Sequence, residues 1–389
     1  MIFLRLSGSM NLCIMQSKIK IIVFTNSAWA LYKFRLALID KLSSLNYSIS
    51  LIFPFDDIYT KRIQEKYECY NINLSQTGTN VIREIISLTQ LFFLVKKIKP
   101  DFILSFSIKP NIYANIVAKF YNVRTINNIS GLGTVFIQGG LRLVLIKLLY
   151  KMTLNSAYRI FFQNSTDISF FKLNFNFNQN KIALLPGSGV NLNTFSQEVT
   201  SKYIETSDEF KFLFIGRIIK EKGVYEYFYA AKQMKEKYGT KVVFYIAGDR
   251  CAEHISNIPN DEFKKWISSE VLDYLGYLED IRPSLAKCDC VVLPSYREGM
   301  PRSILEAFAM KKPAIVAKVP GSTDIIDDGI NGLHCEPKST KSLYLKLNQM
   351  YNMSKQKRKK MGLKGYAKVK EFFDEEIVFN KYIETIKEK

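Results

Sequence analysis

Two cations and two carboxylates in the second half of the chain have the types and spacing to manage a leaving anion. The run Phe214-Ile215-Gly216-Arg217-Ile218-Ile219-Lys220-Glu221-Lys222-Gly223 passes from an apolar strand pattern into a loop and then a helical pattern from Val224 to Met234. Ligands of an open α/β sheet bind beyond the carboxyl ends of its strands. Arg217 and Lys222 stand there, one offering a fork and the other a point charge to a diphosphate. On this stretch alone, two solvated cations at a strand end stay open as the alternative. A second run follows the apolar residues Cys290 to Leu293: Pro294-Ser295-Tyr296-Arg297-Glu298-Gly299-Met300-Pro301-Arg302-Ser303-Ile304-Leu305-Glu306-Ala307. Pro301 suits the first turn of a helix and Gly299 a close backbone approach. Free amides at the helix start suit an anion or a hydroxyl. Glu298 in the loop and Glu306 in the helix can turn toward one crevice, where carboxylates accept hydrogen bonds from sugar hydroxyls.

The elements that must position these groups alternate along the chain. Ile19 to Phe24, Ser48 to Pro54 and Phe102 to Phe106 read as strands, with Leu31 to Leu45 and Asn111 to Tyr121 as helices, which is a doubly wound parallel arrangement. A second set begins after Asn191 to Asp208, with strands over Phe210 to Gly216, Val242 to Ala247, Tyr274 to Gly276, Cys290 to Pro294 and Ala314 to Ala317. Apolar periodicity lapses around Asn193 to Ser207, which puts a linker near residue 200. We therefore expect a first domain over 18–200, a second domain over 201–370 and a closing amphipathic helix within 371–389 that can cross back to the first domain. Residues 1–17 read as a non-native or disordered extension, the true start being Met10 or Met15.

Composition limits the alternatives. At 389 residues the chain exceeds one ordinary core. The balance of 55 Lys and Arg against 36 Asp and Glu leaves +19, which calls for a polyanionic partner: nucleic acid, an anionic membrane face or phosphorylated substrates. The basic residues are dispersed and match no nucleic-acid module, so a nucleic-acid partner is not expected. The six cysteines form no CxxC pair, and with His254 and His334 the only histidines no zinc-like spacing arises. A nicotinamide oxidoreductase needs a GxGxxG after the first strand, which is missing. Lys and Arg interrupt every apolar run before it reaches the roughly 18 residues of a membrane span.

In order, the chain reads Gly-Arg-x4-Lys-Gly, Ile246-Ala247-Gly248-Asp249, Leu275-Gly276-Tyr277, Cys288-Asp289, Pro294-Ser295-x2-Glu298-Gly299, Leu305-Glu306-Ala307, Pro320-Gly321-x2-Asp324 and Asp328-Gly329-x-Asn331-Gly332. This order resembles the family 4 glycosyltransferases, and the likeness spans about Lys18 to Lys387. It implies a GT-B fold, α/β with two Rossmann-like domains facing across a cleft, the donor nucleotide sugar on the C-terminal domain and the acceptor on the N-terminal one. By that likeness Arg217 and Lys222 would stabilise the leaving diphosphate, Glu298 would bind the transferred sugar and Glu306 the donor ribose. Gly216, Gly299, Met300, Pro301 and Ser303 would line the same pocket. The family retains anomeric configuration and is expected to need neither metal nor cofactor. Two departures stand out: Gly321-Ser322-Thr323-Asp324 carries Asp in place of the usual Glu, and Thr25-Asn26-Ser27-Ala28-Trp29 replaces the glycine-rich turn after the first strand.

The stretches Ser107-Ile108-Lys109-Pro110-Asn111-Ile112-Tyr113 and Asn127-Asn128-Ile129-Ser130-Gly131-Leu132-Gly133-Thr134-Val135-Phe136 resemble the subset that extends undecaprenyl-diphosphate-linked sugars in capsule, O-antigen and protein-glycan assembly, including transferases that add N-acetylgalactosamine to lipid-linked bacillosamine. The turn at Gly131 and Gly133 can expose amides to an acceptor, and Lys109 and Arg35 can meet its diphosphate, with surface charge as the open alternative. Gly139 to Met152 reads as a helix with Leu141, Val144, Leu145, Leu148 and Leu149 on one side and Arg142, Lys147 and Lys151 near the other. Such a helix can lie on an anionic membrane or pack in a core. The expectation is a cytoplasmic enzyme, peripheral on the inner face of the cell membrane, with a UDP-sugar donor and a polyprenyl-diphosphate-linked acceptor. A nucleotide-sugar epimerase on the same fold is the rival reading, disfavoured because the N-terminal half has no histidine.

Overall fold

The computed structural model describes residues 18–75, 80–132, 140–196, 208–250 and 256–388. The expected extension 1–17, the boundary near 200, Gly133 and His254 lie outside them.

Two wholly parallel sheets organise the chain. The first joins β1 (Lys20–Phe24), β2 (Ser48–Phe53), β3 (Glu68–Asn71), β4 (Phe102–Phe106), β5 (Arg124–Ile129), β6 (Arg159–Phe162) and β7 (Ile182–Leu184) in the order β3-β2-β1-β4-β5-β6-β7. The second joins β8 (Phe210–Ile215), β9 (Val242–Ala247), β10 (Asp273–Gly276), β11 (Cys290–Leu293), β12 (Ala314–Ala317) and β13 (Gly332–Cys335) in the order β10-β9-β8-β11-β12-β13. Winding reverses between β1 and β4 and between β8 and β11, so each sheet has its ligand crevice beyond the carboxyl ends of those strands.

Parallel strands covered on both faces read as near-continuous apolar runs. In β1, Ile22 and Phe24 join one core cluster, while Ile21 and Val23 join the cluster on the opposite face, as the period of two requires. That second cluster is completed from the far end of the chain. Helix Glu375–Lys387 contributes Val378, Phe379, Tyr382, Ile383 and Ile386, all buried against the N-terminal sheet. Each such side chain contributes about 1.5–3 kcal/mol of burial, which fixes the tail to the first domain. Isolated bridging between Val190 and Asp374, with Val190 N donating to Phe373 O at 3.0 Å, ties the two crossing segments together.

One expected helix is interrupted. Leu31 to Leu45 keeps its apolar period, yet the chain forms Ala28–Phe34 and then Leu36–Ser44. The break is at Arg35, whose φ of −126° leaves the helical range and whose guanidinium turns inward over the Phe106 ring, 4.3 Å from its centroid.

Candidate active site

The two C-terminal runs converge at the switch point of the second sheet. Gly216 follows β8, its amide donating to Ala247 O at 3.1 Å. A side chain there would meet the Phe214 and Leu293 side chains at ordinary contact distance, so packing does not demand the glycine, and its backbone is open to a ligand. Arg217 is exposed and makes no ion pair among the described residues. The short 3₁₀ turn Lys220–Lys222 follows, pinned to the second run where Tyr296 N donates to Glu221 O at 2.8 Å. This brings Lys222 Nζ to 2.6 Å from Glu298 Oε1, with side-chain exposures of 20% and 9%. A pair so sequestered has lost much of its hydration, and each partner becomes costly when the other is removed.

Pro301 stands as the N-cap of helix Arg302–Ala309, one residue before its first turn, with Ser303 half-buried inside that turn. Glu306 lies one turn further. Burial pushes its carboxyl above the usual carboxylate range, and Arg302 pulls it back, donating from Nε to Oε1 at 2.9 Å. Arg302 was legible only as part of the run. It also donates from Nη1 to Lys33 O of the other domain at 2.9 Å and lies over the Phe34 ring.

The domains meet directly around these groups. Gly131, with φ of +133°, faces Gly299: a Cβ on Gly131 would stand 3.2 Å from the Gly299 Cα, and one on Gly299 would stand 1.9 Å from Ser130 O. The expected acceptor turn and the expected donor loop are thus in backbone contact, and both glycines are required by that approach. Met300 packs against Gly187 from the other side of the boundary. Asn164 Nδ2 donates to Gly299 O at 3.0 Å, and Arg297 pairs with the fully buried Asp167. Burial raises the Asp167 carboxyl above its ordinary value, against the pull of Arg297 and Asn164. At the opposite rim Tyr277 OH accepts from Trp29 Nε1 at 2.8 Å and bonds Tyr59 OH at 2.8 Å, while Glu279 pairs with Arg62. The turn that departs from the family's glycine-rich pattern therefore supplies, in Trp29, a contact between domains.

Of the cations expected to meet an acceptor, Lys109 is held within its own domain, pairing with Glu84 at 2.6 Å and donating to Ser75 O at 2.9 Å. Arg35 is different. It is 8% exposed, sits beside Tyr382 and within reach of the Arg302 charge, has no ion pair among the described residues, and is pulled down to about 10 by burial. Asn164, Asp167 and Arg302 were missed as site residues; their partners in the other domain lie between 130 and 269 positions away in sequence, beyond the reach of local spacing.

Comparison with known proteins matches these two halves separately. The family described as Glycosyl transferase 4-like matches residues 20–164, and Glycosyl transferases group 1 matches residues 196–368. The Campylobacter jejuni N,N'-diacetylbacillosaminyl-diphospho-undecaprenol alpha-1,3-N-acetylgalactosaminyltransferase is 27% identical over 91% of this chain and 94% of its own. The Escherichia coli UDP-Gal:alpha-D-GlcNAc-diphosphoundecaprenol alpha-1,3-galactosyltransferase is 24% identical over 76% of this chain and 78% of its own. The Anabaena protein HepE, in complex with UDP and glucose, superimposes with a TM-score of 0.77 at 16% identity, covering 95% of this chain and 99% of its own. With the paired sheets, the facing crevices and a glycosyltransferase family match in each half, the chain is a glycosyltransferase of the GT-B fold, a Glycosyl transferase 4-like half followed by a Glycosyl transferases group 1 half.

Proposed function

We propose that this glycosyltransferase moves a hexose or N-acetylhexosamine from a UDP-sugar to an undecaprenyl-diphosphate-linked sugar, with retention, in the assembly of a surface polysaccharide or protein glycan. The observation that carries the donor half is the convergence, at the ends of β8 and β11, of exposed Arg217, the Lys222–Glu298 pair and Glu306 beside Arg302. The acceptor half rests on the undecaprenol-linked substrates named for the two bacterial relatives.

As the leaving group departs, negative charge builds on the diphosphate. Arg217 and Lys222 answer it without a divalent ion. Lys222 uses one of its three N–H donors on Glu298 and has two left for the diphosphate, while Glu298 keeps lone pairs for a hydroxyl of the transferred sugar. Arg302 opposes the burial that favours the neutral carboxyl of Glu306 and orients that carboxyl for the ribose hydroxyls, with Gly216, Gly299, Met300, Pro301 and Ser303 around the donor. Across the cleft, the buried guanidinium of Arg35 has no counter-ion among the described residues, a costly state that an acceptor phosphate relieves.

The acceptor's lipid calls for a membrane face, and one surface of the N-terminal domain has that character. Helix Val81–Ile98 exposes Val81, Ile82, Ile85, Ile86 and Phe93, and helix Leu141–Thr153 exposes Val144, Leu145, Leu148 and Met152. Tyr150 is buried in the core and Ile146 and Leu149 pack against it, so the second helix serves core and surface at once. Exposed Arg83 and Lys151 sit within this apolar stretch, the pattern of an interfacial surface at the inner leaflet. Among the described residues no helix is long and apolar enough to cross a membrane.

The test is UDP release from a panel of UDP-sugars with a synthetic polyprenyl-diphosphate sugar, in EDTA. Acceptor-dependent release from one donor is expected. Intact donor binding without acceptor dependence would replace the lipid-linked acceptor with a soluble glycan, and failure to bind any nucleotide sugar would overturn the reading.

A further inference from the structure

The loop that carries Glu298 and Gly299 belongs to the C-terminal domain but is held from both sides. Its own domain holds it through Tyr296 N to Glu221 O and through Lys222. The N-terminal domain holds it through two residues at the start of one helix, Ser165–Asn174. Asn164 caps that helix, its Oδ1 accepting from Asp167 N at 2.7 Å, and its Nδ2 reaches Gly299 O at 3.0 Å. The Asp167 carboxylate is 0% exposed and is answered by Asn164 Nδ2, at 3.0 Å, and by Arg297. A fully buried carboxylate paired across a domain boundary is not required to fold either domain, since each has its own sheet and core. Charge removed from water at such a site is justified by what it holds in place. Here it holds the residue immediately before Glu298.

We infer that Asn164 and Asp167 are positioning residues for the transferred sugar: from the acceptor domain they fix the 297–299 loop in the geometry in which Glu298 and Gly299 engage that sugar, so the donor site is complete only when the domains are closed. This rests on the proposed nucleotide-sugar donor. Its consequence is selective. The nucleotide moiety is met by Arg217, Lys222 and Glu306 from the C-terminal domain alone, whereas the sugar moiety depends on a loop that the N-terminal domain sets.

Calorimetric affinities for UDP and for the UDP-sugar that the protein uses, with kcat, test it on Asp167→Asn and Arg297→Lys. Asp167→Asn is expected to keep UDP affinity within about twofold of wild type while UDP-sugar affinity and kcat fall about tenfold or more, as loop misplacement does. Arg297→Lys, which keeps the charge but not the fork, is expected to fall between. Equal weakening of UDP and UDP-sugar would reduce the pair to a structural role and overturn the inference, as would wild-type values for both with unchanged kcat. Should Asp167→Asn fail to fold, Arg297→Gln carries the same comparison from the partly exposed partner. Failure of the wild-type protein to bind any nucleotide sugar would instead overturn the donor reading on which the inference stands.

Discussion

The two domains share a strand order and use their polar groups in opposite ways. In the C-terminal domain charge stands at the crevice: Arg217, Lys222, Glu298 and Glu306 follow the ends of β8 and β11. In the N-terminal domain polar groups are turned inward. Ser105, Asn111, Asn115, Thr125, Asn127 and Asn128 are all fully buried. They bond one another along β4, β5 and helix Ile108–Tyr121, through Ser105 Oγ to Asn111 Oδ1, Asn127 Nδ2 to Ser105 Oγ, Asn115 Nδ2 to Asn127 Oδ1 and Thr125 Oγ1 to Asn115 Oδ1. A sheet end lined with cations can recognise a phosphate by itself. A sheet whose polar side chains are satisfied internally presents shape, in the Ser130-Gly131 backbone and an apolar exterior. Substitutions should therefore separate: chemistry is lost from the second domain and from the seam that Asn164 and Asp167 form with it, and assembly, stability or docking from the rest of the first.

The sharpest separation is expected at Arg217. Its side chain is exposed and unpaired among the described residues, so Arg217→Ala should melt at the wild-type temperature while turnover falls about 10²–10³-fold, the scale of removing one preorganised charge. Lys222→Ala should lose comparable turnover and also melt earlier, because it strands Glu298 at 9% exposure. UDP release and thermal melting measure both, and an Arg217→Ala protein with wild-type turnover would break the assignment.

The next effect probes the seam between the domains. A Cβ at Gly299 would lie 1.9 Å from Ser130 O, so Gly299→Ala must push the domains apart. Turnover is expected to fall about 10–10²-fold, as for a displacement on the scale of 1 Å at the reacting centre, with UDP still bound. Small-angle scattering would show the larger radius of gyration; an unchanged radius with normal turnover would mean that this backbone approach is dispensable.

A smaller loss, of stability and not of chemistry, is expected within the N-terminal domain. Tyr382 of the crossing helix is fully buried, and its hydroxyl accepts from Asn128 Nδ2 at 2.8 Å. Tyr382→Phe leaves that donor unanswered, at a cost of about 1–3 kcal/mol. Chemical denaturation should read this loss, while turnover well below the melting temperature stays near wild type.

The same contrast governs what the sequence made legible. The groups expected on the donor side lie between Arg217 and Glu306, past apolar strand runs and punctuated by Gly or Pro, so strand-end spacing together with the order of motifs led to one sheet end. On the side expected to meet the acceptor, the glycine turn at Gly131 was legible and reaches Gly299, but the charged groups were not marked in this way. Arg35 sits inside an unbroken apolar period, and only its contact with Phe106, 71 positions on, splits the helix. Lys109 stands in a suggestive stretch, yet Glu84 holds it, a partner that no local pattern names. Asp167 reads as an ordinary first-turn acid until Arg297 arrives from the other domain. Helix Leu141–Thr153 reads two ways because it packs Ile146, Leu149 and Tyr150 inward and exposes Val144, Leu145, Leu148 and Met152.

That helix and Val81–Ile98 set the smallest expected effect on the enzyme itself. Ile82→Lys and Leu148→Lys alter side chains 69% and 53% exposed, so folding stability should move within about 0.5 kcal/mol. Turnover on a short-chain, detergent-soluble acceptor should not change, since neither residue touches the crevice groups. What should change is partition onto vesicles. Each exchange removes an apolar side chain worth about 1.5–3 kcal/mol when fully buried and replaces it with a group that stays in water, so cosedimentation with phosphatidylglycerol vesicles should fall several-fold. The remaining basic residues should leave the residual binding sensitive to salt. Wild-type cosedimentation by both variants would move the membrane contact off this surface, and the first domain's apolar exterior would then need another occupant.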